Sequence, residues 1–153
     1  MSIPDSQLTV LRQAAIDASR NAWCPYSGFP VGAALLATDG RIFSGCNVEN
    51  ASHGLTLCAE RNTIGQAIVA GCREFEALLV FTATQAPTTP CGACRQVITE
   101  FAPDAEVICV CDGPDSIRTL MRELLPHSFG PHSLAEHNFD HAVGLDQAAK
   151  LSE

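Results

Sequence analysis

The sequence predicts an α/β domain: a three-layer α-β-α sandwich around a mixed sheet of about five strands. Three observations carry this. Continuous apolar runs of strand length recur along the chain, as in Ala77-Leu78-Leu79-Val80-Phe81-Thr82-Ala83, and such runs suit strands covered on both faces. Segments with apolar residues at helical spacing alternate with them. The chain has 153 residues, which is the size of one domain.

Taken in order, Asp5-Ser6 is positioned to cap a first helix. Leu8, Leu11, Ala15, Ala18 and Ala22 continue it until Pro25 stops it. Residues 30–38 are apolar on both faces and read as a strand. Asp39-Gly40 is a two-residue hairpin signal, and residues 41–48 return as a second strand. A polar loop over 49–56 leads into a helix over 57–70, closed by Gly71. A strand follows at 77–83, then a Pro/Thr-rich loop, then a helix over 92–101. Residues 105–111 form a further strand, Asp112-Gly113-Pro114 turns the chain, and 116–119 leaves room for a short fifth strand. Residues 121–125 are helical and Pro126 ends them. Residues 1–134 thus read as a single domain. Past Leu134 the apolar pattern thins, and 135–153 read as a loose tail or a late helix.

Net charge is −8, which disfavours nucleic acid and anionic membrane surfaces as partners. Charged residues make up 17%, against about 25% in soluble domains, while 46% of the chain is hydrophobic. That imbalance fits burial against other subunits, or a surface rich in Ser, Thr, Gln and Asn. The N-terminus lacks the basic start and apolar run of a signal peptide, and no window is long and apolar enough to span a bilayer. A reducing cytoplasm is therefore expected, where the eight cysteines serve as core filler, metal ligands or catalytic thiols.

Two stretches carry the chemistry, each at a helix start: Cys58-Ala59-Glu60-Arg61 and Pro90-Cys91-Gly92-Ala93-Cys94-Arg95-Gln96. Cys91-x-x-Cys94 puts two sulfurs within one helical turn, a spacing suited to zinc. Cys58 makes a third ligand and leaves the fourth tetrahedral position open, as in catalytic zinc sites. Helix N-termini favour thiolates. Three thiolates on Zn²⁺ still sum to −1, and Arg61, one turn beyond Cys58, is placed to drain that charge. Glu60 stands two residues from a ligand without being one, which suits proton transfer. The bland readings are a structural zinc knuckle or redox pair for Cys91-x-x-Cys94 and a helix-start carboxylate for Glu60. A four-sulfur structural site would need a second CxxC, and the chain has none. Cys24, Cys46, Cys72, Cys109 and Cys111 read as buried small hydrophobes, and His127, His132, His137 and His141 as solvent-facing.

Zinc, a non-ligand Glu and P-C-x-x-C together are the signature of zinc deaminases. From Trp23 to Leu134 the chain resembles the small homotetrameric cytidine deaminase family. The resemblance rests on Cys24-Pro25-Tyr26-Ser27-Gly28-Phe29-Pro30-Val31-Gly32, Gly45-Cys46-Asn47-Val48-Glu49-Asn50-Ala51-Ser52, the two stretches above with Val97, and Glu123-Leu124-Leu125-Pro126. It implies one Zn²⁺ per subunit on Cys58, Cys91 and Cys94, with Glu60 as proton shuttle for a zinc-bound hydroxide. The implied reaction is deamination of cytidine and 2′-deoxycytidine to the uridine forms with release of ammonia, in pyrimidine salvage. It also implies Asn47 and Glu49 at the ribose, Phe29 against the pyrimidine and the Ala59 N–H at the base carbonyl. Sites shared between subunits would bring Ala51 and Phe129 to a neighbour's pocket. His53 stands where the family often has Tyr, in the shared part of the site. Against a nucleic-acid deaminase stand the −8 charge and Cys58 in place of the usual His. A deaminase of a cytosine-bearing antibiotic should lack Asn47 and Glu49, and a zinc-stabilised binding module should lack Glu60 or the open site.

Overall fold

The computed structural model describes residues 3–135. The apolar runs become a five-stranded sheet: β1 (Val31–Ala37), β2 (Ile42–Cys46), β3 (Phe75–Thr82), β4 (Glu106–Cys111) and β5 (Ser116–Leu120), in the order β2-β1-β3-β4-β5. Only β3 and β4 pair in parallel; the other neighbours are antiparallel, so the sheet is mixed. Alternation along each strand divides the core in two. Ala34, Leu36, Leu79, Phe81, Ile108 and Val110 face helix α1 (Asp5–Ser19) through Leu11 and Ala15. Ala33, Leu35, Leu78, Val80, Val107 and Cys109 face α2 (Ala59–Val69) and α3 (Gly92–Phe101) through Ile64, Ala67, Cys94 and Ile98. The three-layer sandwich is as expected. Met121 of the short helix α4 (Met121–Leu124) closes the second layer, and α5 spans Pro131–Ala135.

Local signals explain several boundaries. Gly40, at φ +86°, makes the β1–β2 turn, and the Asp39 Oδ1 accepts the Arg41 N–H at 3.0 Å. Gly71, at φ +77°, ends α2: the Cys72 N–H reaches the Ala67 carbonyl and the Gly71 N–H the Ile68 carbonyl, a Schellman closure.

Other boundaries differ from the sequence reading. Helix α1 ends at Ser19, well before Pro25, because tertiary partners take over. Asn21 and Ala22 donate to Ala18 and Ser19, and the Trp23 N–H is taken by the Asn47 carbonyl at 3.0 Å. The N-cap is Pro4, with no side-chain cap bond, rather than Asp5 or Ser6. Strand β3 starts two residues early, at Phe75, and a short 3₁₀ turn at His53–Leu55 lies inside the predicted loop. Of the tail read at 135–153, Ala135 ends α5 and the rest lies outside the described residues.

Candidate active site

Because β1 lies between β2 and β3 and is antiparallel to both, β2 and β3 point the same way. The chain leaves β2 at Cys46 and β3 at Thr82 on one edge of the sheet, and the connections bring the starts of α2 and α3 together there. Cys58 and Cys91 are the respective N-caps, both extended, and neither side chain caps its own helix. Their sulfurs meet instead at 3.9 Å. Cys94 adds a third sulfur from the first turn of α3, and all three lie within 4.8 Å of one another. Zn–S bonds of about 2.3 Å at tetrahedral angles require sulfurs about 3.8 Å apart. The triad therefore fits zinc. Among the described residues it is the one group of three or more His, Cys, Asp or Glu that could hold a metal.

The electrostatics of the triad agree with a cation site. A hydrogen bond from the Cys94 thiol, with help from Arg61 and Cys91, pulls Cys58 down to about 5 against its partial burial. Cys94 moves upward, chiefly because it donates that bond and then because it is buried. One proton leaves the cluster readily; a divalent cation is what makes loss of the others favourable. Arg61 donates from Nη2 to the Thr56 carbonyl at 2.8 Å and lies 3.8 Å from the Cys58 sulfur. Arg61→Ala is expected to weaken zinc retention about 10- to 100-fold in a chelator competition; unchanged retention and activity would show that the guanidinium does not serve the sulfurs.

Glu60, the second residue of α2, is 5% exposed. Burial pushes its carboxyl above the usual carboxylate range, and the neighbouring Cys58 thiolate adds to the effect. It lines a cavity of about 360 Å³ together with Cys58, Cys91, Phe29, Asn47, Glu49 and Ala59. Asn47 is buried and fastens the cavity wall: its Oδ1 accepts the Val31 N–H and its Nδ2 donates to the Phe29 carbonyl, both at 2.9 Å. Glu49 Oε2 accepts the N–H groups of Tyr26 and Ser27 at 2.9 and 3.2 Å. As the first residue of α2, Ala59 presents an N–H that the helix itself does not use.

Ala51, His53 and Phe129 are not brought to this cavity. All three are exposed, with His53 edge-on to Tyr26 at 5.6 Å and the Phe129 carbonyl held by Gln96 Nε2 at 2.9 Å. The sequence reading missed the wall formed by Val80, Thr82, Thr88 and Thr89, and also Ser27, Val31 and Thr56. Thr82, Thr88 and Thr89, all within nine residues of Cys91, were the available signal. Of the five cysteines expected to be core, Cys72, Cys109 and Cys111 are buried, but Cys24 and Cys46 are only half-buried. Their segment lies at the sheet rim, beside the Trp23–Val48 bridge. His127 is exposed as expected; the side chain of His132 and residues His137 and His141 lie outside the described residues. A larger cleft of about 630 Å³ opens at the opposite edge of the sheet, between Phe75 and Phe101, and contains none of the three sulfurs.

Comparison with known proteins places the chain in a family. The family model of the cytidine and deoxycytidylate deaminase zinc-binding region matches residues 5–111. A cytidine deaminase of Sporosarcina psychrophila is 45% identical over 119 residues, 77% of this chain and 88% of that protein. One of Halalkalibacterium halodurans is 46% identical over 121 residues, 78% of this chain and 92% of that protein. The crystal structure of cytidine deaminase from Burkholderia pseudomallei superposes with a TM-score of 0.77 at 48% identity, covering 79% of this chain and 98% of that one. The matched span encloses Cys58, Glu60, Cys91 and Cys94, and the chain belongs to the cytidine and deoxycytidylate deaminase family, whose metal is zinc.

Proposed function

We propose that this protein hydrolyses cytidine and 2′-deoxycytidine to uridine and 2′-deoxyuridine, releasing ammonia. The observation that carries the reading is a buried carboxyl, Glu60, beside a three-sulfur cluster in a cavity of nucleoside-compatible size. Cys58, Cys91 and Cys94 would hold the zinc, which would supply a Lewis acid able to lower the pKa of water toward neutrality. Glu60 handles the protons. The water oxygen bonds to C4; Glu60 passes one water proton to N3 and the other to the exocyclic amine; the C4–N bond then breaks and ammonia leaves. Burial raises the proton affinity of Glu60, which suits a group that holds a proton between two transfers.

Phe29 lies against the pyrimidine, the Ala59 N–H meets the base carbonyl, and Asn47 and Glu49 read the ribose. The position of all four around one cavity supports these roles. Ala51 and Phe129 serve a neighbouring subunit's pocket in a homotetramer, and His53 stands in the shared part of the site, a reading that their exposure outside their own cavity supports. The deaminase unit spans residues 1–134, and the protein works in the cytoplasm on free nucleosides. No described helix is long and apolar enough to cross a membrane.

The test follows loss of cytidine absorbance with and without a zinc chelator, then offers cytosine, CMP and single-stranded DNA. Chelator-sensitive turnover of the free nucleoside alone is expected. Preference for DNA would overturn the assignment, and a monomer by light scattering would remove the shared pockets.

A further inference from the structure

We infer that Arg95 is a positioning residue that sets the geometry of the Cys91 ligand, a role that rests on the deaminase reading above. Cys91 is the exposed sulfur of the three, and the chain reaches it through a connection over 83–90 that has no helix or strand. Arg95 supplies the missing order. It sits one residue beyond Cys94, and its N–H completes the first turn of α3 on the Cys91 carbonyl at 2.9 Å. Its side chain folds back along the incoming chain. Nε donates to the Pro90 carbonyl at 2.8 Å and Nη2 to Thr89 Oγ1 at 3.0 Å. The remaining arm, Nη1, donates to the Leu124 carbonyl at 2.9 Å, the last residue of α4, where a helix leaves carbonyls unused.

One rigid guanidinium thus ties the two residues before Cys91 to a fixed point outside the loop. Pro90 is fully buried, so its carbonyl has a high cost if left without a donor. The peptide held by Nε is the one that joins Pro90 to Cys91, so its rotation moves the ligand sulfur directly. Thr89, held by Nη2, lines the cavity. A lysine has one ammonium and no planar fork; it can satisfy one of the three acceptors well but cannot hold the other two at fixed angles.

The test compares Arg95→Lys with the parent protein in zinc- and cobalt-loaded forms. The Lys variant is expected to bind one metal per chain with an unfolding temperature near the parent's. Its cobalt–thiolate and d–d absorption should shift, because those bands report ligand geometry. Its kcat on cytidine should fall about tenfold with KM within about twofold, the size of effect that a sub-ångström displacement produces. If the Lys variant does not fold, Arg95→Ala with added guanidinium replaces it, and recovery of the cobalt spectrum is the expected result. A cobalt spectrum identical to the parent's, or losses that merely follow thermal stability, would overturn the assignment. If the parent itself fails to turn over cytidine, the deaminase reading fails, and the cobalt spectrum still decides the role of Arg95.

Discussion

Glu60→Gln is expected to retain zinc and the fold while losing about 10²- to 10⁴-fold in turnover. Gln keeps the shape and volume of the side chain but can neither accept the water proton nor return it. Structural cost is small for a physical reason. Glu60 is 5% exposed, and its ionised form is penalised by burial and by the Cys58 thiolate. Gln keeps that buried volume filled, so the variant should melt within about 3 °C of the parent. Zinc content by a chromogenic chelator, the melting temperature and cytidine turnover measured together decide the matter. A Gln variant with full activity would end the proton-shuttle assignment; a variant without zinc would show that Glu60 acts through the metal site instead.

Gly32→Ala is expected to be strongly destabilising. A Cβ at Gly32 would lie 1.9 Å from the Ala15 carbonyl oxygen and 2.8 Å from the Ser19 nitrogen. Both are backbone atoms of α1, so no side chain can rotate away; the helix must lift from β1. Lifting it opens the core around Leu11 and Ala15, which are fully buried. A cost of about 3 kcal/mol is expected, a fall of about 6–12 °C in melting temperature for a chain of this length. Thermal unfolding by circular dichroism measures it, and a shift below about 2 °C would mean that α1 sits more loosely than the geometry states. Gly45 on β2 plays the same part against the other layer. There the nearest atom is Thr63 Oγ1 at 2.8 Å, a hydroxyl held by the Ala59 carbonyl at the start of α2.

What the sequence made legible depends on how local the cause is. The start of α3 and its end at Phe101 were readable because the pattern from Gly92 onward is helical and amphipathic. The metal triad was readable because residue type and spacing define it. The end of α1 was not, since Ala22 satisfies helical spacing and the Asn47 carbonyl, which takes the Trp23 N–H, is remote in sequence. The role of Asn47 as a brace between Phe29 and Val31 was hidden for the same reason. The threonine wall of the cavity was missed because Thr82 ends a strand whose apolar pattern gives no hint that its terminus faces a ligand space. Arg95 stood inside a recognised motif, yet its three acceptors become visible only when the 83–90 connection and α4 are both in place.

Because β2 and β3 point the same way, the sulfur cluster is held by the sheet as well as by its own loops. Cys91 and Cys94 lie three residues apart, whereas Cys58 is 33 residues upstream of Cys91 and meets them through the β2-β1-β3 pairing. Ligand geometry and sheet register are thus linked: a one-residue slip of β1 against either neighbour would displace the start of α2 relative to that of α3 and carry Cys58 away from the other two sulfurs.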